Sequence, residues 1–189
     1  MHKLSFIENG KEVVYKHERL YNRISSSSGI ERIVACAPEF DDRLFISLIS
    51  QSQEPFYILY VLHTPRGEGE PGRYQSPELF HSEIINFVEK YKKFFKVDSR
   101  FDIWVHSPDS ESTIVWDRHD LIHCYGVLDQ CEKVLKESSF PSGEPSINFV
   151  HAHHYHAEFD IQAKSLLDEF DWSYSFLKPN DVQNAIDIQ

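Results

Sequence analysis

Residues 101–125, FDIWVHSPDSESTIVWDRHDLIHCY, decide the architecture. Phe101–His106, Thr113–Asp117 and Leu121–Tyr125 are three β-prone runs, joined only by the polar connections SPDSES and RHD. Links that short suit hairpins and leave no room for a crossover helix, so the spacing predicts an antiparallel meander.

Upstream, Phe56–His63 (FYILYVLH) is an unbroken apolar run that predicts a central strand buried on both faces. Arg32–Ala37 reads as a short buried strand after the polar loop Ser25–Gly29, and residues 4–15 read as a hairpin about Asn9-Gly10. Asn-Gly accepts the positive φ angles of a type I′ turn.

Phe40, Leu44, Phe45, Leu48 and Ile49 recur at helical spacing over 39–50. A longer helix opens at Ser76-Pro77, with Ser76 as cap and Pro77 in the first turn. Its apolar stripe is Phe80, Ile84, Phe87, Val88, Tyr91, Phe94 and Phe95. Val127, Leu128, Cys131, Val134 and Leu135 predict a third helix over 127–138. A fourth, over 160–171, has Asp160 as cap and Ala163, Leu166, Leu167 and Phe170 inward. The expectation is a single α+β domain over 1–189, a mostly antiparallel sheet layered with about four amphipathic helices. Residues 1–30 form its N-terminal hairpin and loop, and 173–189 an irregular tail.

Three cysteines, Cys36, Cys124 and Cys131, have no disulfide or metal spacing and point to a reducing compartment. The N-terminus has no signal-peptide core, and the longest apolar run is far short of the ~20 residues that span a bilayer. A cytoplasmic protein without membrane contact is expected. The net charge of −11 is lopsided: residues 1–100 carry 14 Lys/Arg against 14 Asp/Glu, and residues 101–189 carry 5 against 16. Nucleic-acid binding needs the opposite sign. A basic protein partner fits it.

The densest chemistry lies in 147–160, INFVHAHHYHAEFD. On an extended segment His151 and His153 share a face, a natural clamp for Zn²⁺ or another divalent transition metal. His63 and His106 end strands in the same way as His151, and all three would converge if those strands ran in one direction. Arg66 and Arg73, in the Gly/Pro-rich loop 64–75, are candidate anion grips.

Two functions are open at this point. The first is a non-catalytic, immunity- or adaptor-like module without a cofactor. It would dock a basic partner through Glu158, Asp160, Asp168, Glu169 and Asp171, with Tyr155 and Trp172 as aromatic anchors. The second is a metal-dependent hydrolase built on the 151–156 histidines, with Arg66 and Arg73 holding an anionic group and Glu158 as general base.

Overall fold

The structure, a computed structural model, describes residues 1–181 other than 27, 28, 38, 40, 146 and 148. Phe40 of the first helix stripe, Ser27 and Ser28 of the polar loop, Asn148 of the histidine segment and the tail beyond 181 therefore lie outside the described residues.

In chain order the elements are β1 (Leu4–Glu8), β2 (Lys11–Val14), β3 (Leu20–Ser25), β4 (Glu31–Cys36), α1 (Asp42–Ile49), β5 (Tyr57–Leu62), β6 (Gly72–Gln75), α2 (His81–Val97), β7 (Phe101–Ser107), β8 (Ser112–Trp116), β9 (Leu121–Tyr125), α3 (Leu128–Glu137), β10 (His151–His153), α4 (Asp160–Leu167) and β11 (Ser173–Ser175). Eight strands form one sheet in the order β11-β6-β5-β7-β8-β9-β4-β3, and a second sheet has the order β10-β1-β2. The strand pairings are antiparallel throughout. This is an α+β fold, and the meander of β7, β8 and β9 lies where the sequence predicts it.

The hairpin of β1 and β2 turns on Asn9 (φ 51°) and Gly10 (φ 74°), the left-handed pair that Asn-Gly predicts. All four helices cover one face of the large sheet. Alternate strand residues, among them Ile33, Ile58, Tyr60, Phe101, Ile103, Ile114, Trp116 and Ile122, meet Phe45 of α1, Phe87 and Phe94 of α2, Leu135 of α3 and Leu166 of α4 there. Each such side chain contributes about 1.5–3 kcal/mol relative to exposure.

The other face is less apolar. Val34, Cys36 and Leu121 form a small cluster there, while Asp102 and His123 are buried among its strands. Tyr57 and Leu59 are only half-buried, so β5 is not the doubly buried strand its sequence predicts.

α2 begins four residues later than the Ser-Pro signal indicates, at His81 rather than Pro77. Ser76 Oγ accepts the Ile58 N–H at 2.9 Å, and Leu79 exchanges backbone hydrogen bonds with Phe56. These contacts hold 76–79 beside β5, and Glu83 instead caps the helix by accepting the Phe80 N–H at 2.8 Å. Phe80 is consequently exposed rather than part of the buried stripe. α4 stops at Leu167, and a strand, β11, follows in what reads as an irregular tail. Within the Gly/Pro-rich loop, residues 72–75 form β6, which pairs with β5 and β11.

Candidate metal centre

The site is built where the β8–β9 turn meets β10. Asp117 shapes the turn: its Oδ1 accepts the N–H groups of His119 (2.8 Å) and Leu121 (2.9 Å). Its Oδ2 lies 3.2 Å from His123 Nε2 and 3.4 Å from His119 Nδ1. Burial alone raises the Asp117 carboxyl, but the hydrogen bonds from His119 and His123 hold it well below the usual carboxylate range. It is therefore an anion at neutral pH. From below, His17 Nε2 donates to the His119 carbonyl at 2.6 Å, fixing the turn to the N-terminal segment.

β10 is positioned by its pairing with β1, in which Leu4 faces His153 and Phe6 faces His151. Alternation puts both imidazoles on one side of the small sheet, and that side meets His119. Ring centroids are 5.3 Å apart for His119–His151, 4.9 Å for His119–His153 and 5.1 Å for His151–His153. One nitrogen from each ring falls within 4.8 Å of the others.

The tautomers follow from the partners. The Phe149 carbonyl only accepts, so at 3.0 Å His151 Nδ1 carries the proton and donates. The ionised Asp117 imposes the same tautomer on His119. Both rings thus keep Nε2 as a lone-pair donor, the arrangement in which an outer carbonyl or carboxylate orients a metal-binding histidine. His153 is driven down to a pKa of about 3, first by burial and then by His119, Arg118 and His151. Its Nδ1 is buried and lacks a hydrogen-bond partner among the described residues. Three imidazoles, each with one nitrogen within 4.8 Å of the others, are a donor set for Zn²⁺ or a similar ion.

Of the sequence candidates, His151 and His153 come together and His63 and His106 do not join them. Antiparallel pairing of β5 with β7 sets His106 opposite Tyr57, at the far rim from His63. His106 is exposed and lies 3.0 Å from Thr113 Oγ1. His63 shares the rim of the site but its Nε2 is engaged by buried Asp102 Oδ2 at 2.8 Å. The third imidazole, His119, sits in a turn whose Asp and His read as ordinary turn residues. Asp117 two positions earlier was the available signal, since an Asp-x-His turn can hold the ring from behind.

The proposed anion grips already face carboxylates, Arg66 with Asp160 at 3.1 Å and Arg73 with Asp181 at 3.3 Å. Asp160 is also bound by Arg100, and Glu169 by Lys90 and Tyr91. Trp172 is half-buried and donates to the Leu166 carbonyl, and its ring packs beside Tyr60, Phe87 and Phe170. Tyr155 is half-buried, and Glu158, Asp168 and Asp171 are exposed. Among the described residues no helix is long and apolar enough to cross a membrane.

Compared with protein-family models, with curated proteins and with solved structures, the chain matches none.

Proposed function

We propose that this protein is a metal-dependent hydrolase whose divalent ion, zinc by donor type, is held by His119, His151 and His153. The observation that carries the reading is the convergence of three imidazoles, one from the β8–β9 turn and two from the small sheet, two of them oriented from behind by Asp117 and the Phe149 carbonyl. Burial keeps His153 unprotonated, so no proton has to be displaced from it on binding. His119 retains 17% side-chain exposure, which leaves the set open towards solvent. Zinc in a three-histidine set with an open position lowers the pKa of bound water to about 7 and supplies a hydroxide nucleophile. Asp117 holds the His119 ring in place and stabilises positive charge that develops on it. Arg66 and Arg73 have no part in this reading, because each is already paired with a carboxylate, Arg66 with the Asp160 that Arg100 also binds.

Metal analysis of untagged protein tests the reading. At least one equivalent of zinc is expected after exposure and dialysis, with one equivalent lost in His119→Ala and in His153→Ala. A parent protein that retains none under those conditions would sink it.

A second reading, a module that docks a basic protein, is supported by the exposed carboxylates Glu158, Asp168 and Asp171. Its steering would be electrostatic, so association should slow as salt rises. Replacing those three residues without changing capture of a basic partner would remove it.

A further inference from the structure

The histidine run has two sides. His153 and His154 are consecutive on extended backbone and so face opposite ways. The His154 N–H donates to the Lys3 carbonyl at 2.8 Å, which continues the β1–β10 pairing by one residue. On that outer side the His154 ring meets His2, with centroids 4.3 Å apart and planes at 64°. His154 Nε2 lies 3.1 Å from Glu12 Oε1. Ser5 Oγ is 2.7 Å from both of those atoms. The three potential donor atoms of His2, Glu12 and His154 all fall within 4.8 Å of one another.

His2 supplies an independent observation. Its Nε2 is buried and has no hydrogen-bond partner among the described residues. Its backbone is held in place, because His156 Nε2 donates to the His2 carbonyl at 3.0 Å. A buried lone ring nitrogen beside a carboxylate and a second imidazole is an unfinished polar contact that a cation completes.

We infer that His2, Glu12 and His154 form a second divalent-metal site, with a two-imidazole, one-carboxylate donor set suited to Zn²⁺ or another first-row ion. It shares no residue with the first site and goes beyond the hydrolase reading. Ser5 is its outer-shell residue. A hydroxyl has a single proton: donated to Glu12, it orients the carboxylate, and His154 Nε2 then donates its own proton to Ser5 Oγ and gives that proton up when an ion binds.

The role of the site follows from where its ligands come from. His2 precedes β1, Glu12 lies on β2 and His154 follows β10, so one ion ties all three strands of the small sheet together. That sheet leaves Ile7 and Val14 exposed and has little apolar cover on this side. Small structures with little core gain folding energy from metal binding. The second site is a staple for the platform that presents His151 and His153.

The test uses full-length protein with a native N-terminus and no affinity tag, titrated with Zn²⁺ against a chromophoric chelator and with Co²⁺ for its ligand-field spectrum. The parent should bind two equivalents. His119→Ala/His151→Ala should keep one, and adding Glu12→Ala to it should remove that one. Zinc should also raise the melting temperature of the His119→Ala/His151→Ala protein, and Glu12→Ala should cancel the rise. A His119→Ala/His151→Ala protein that is folded by circular dichroism but binds neither ion would overturn the second site. If one equivalent survives His119→Ala/His151→Ala and none is ever lost with it, the second site stands and the hydrolase reading fails.

Discussion

Two polar centres lie at the same rim of the large sheet, and they differ in how completely their groups are satisfied. Arg100 is fully buried, and its guanidinium makes five hydrogen bonds: two to Asp98, one each to Glu68 and Asp160, and one to the His156 carbonyl. Nothing further is required there, and the network fastens the Gly/Pro-rich loop and α4 to the start of β7. The imidazole centre a few residues away is also partly buried, yet His153 keeps a ring nitrogen without a partner. A polar network complete within the chain is architecture, whereas three imidazoles brought together with a ring nitrogen left over form a place for a ligand.

The sharpest way to break this contrast is Arg100→Met. It strands Asp98 and Glu68 as buried, uncompensated charges, and about 3–5 kcal/mol of unfolding free energy should be lost in urea titrations. A loss below about 1 kcal/mol, typical of an exposed pair, would mean the network is not the fastening described. His153→Leu should do the reverse. Zinc retention at the first site disappears while the metal-free protein stays as stable as the parent or gains, because an unpaired polar ring is replaced by an apolar side chain.

Asp117→Asn keeps all three imidazoles and removes the charge behind His119, along with that beside His123. Zinc affinity at the first site should fall by about 10–100-fold in chelator competition, the usual range for an outer-shell partner. Next in size is a pH effect on metal-free protein. His153 titrates near 3 when folded and near 6.5 in its unperturbed state, so the unfolded chain binds the extra proton between those values. Stability is therefore complete above pH 6.5 and declines as pH falls towards 3. In His153→Leu that part of the slope should vanish from the pH series of denaturation midpoints. The smallest effect belongs to Asp168→Asn/Asp171→Asn, surface changes expected to stay within about 0.5 kcal/mol. A larger shift would show that the acidic end is built into the fold.

Much of the fold was legible because period and turn chemistry agree: the meander, the Asn9-Gly10 hairpin and the buried faces of α1, α2 and α3 are written in local spacing. Where a distant partner competes for a local signal, local reading fails. Ser76 and Pro77 are good helix openers, but β5 takes the Ser76 hydroxyl and Leu79 pairs with Phe56, so the helix waits until His81. β6 is hidden among glycines because its pairing comes from β5 and β11 rather than from its own residues. The candidate site was half legible. His151 and His153 declare themselves by alternation, but His119 reaches them only because two sheets meet, a fact without local trace. The acidic surface misled for a related reason: Asp160 and Glu169 look free in the sequence, and their cations, Arg66, Arg100 and Lys90, come from far along the chain.

β10 is only three residues long, and its two sides carry different donors. Sliding it by one position along β1 would exchange those sides, bringing Ala152 and His154 towards His119 and turning His151 and His153 outward, so both donor sets would be dismantled at once. The chain guards the downstream end against such slippage: His156 N–H donates to Asp98 at 2.8 Å, and the Arg100 guanidinium donates to the His156 carbonyl. The connection between β10 and that anchor is therefore intolerant of insertion or deletion.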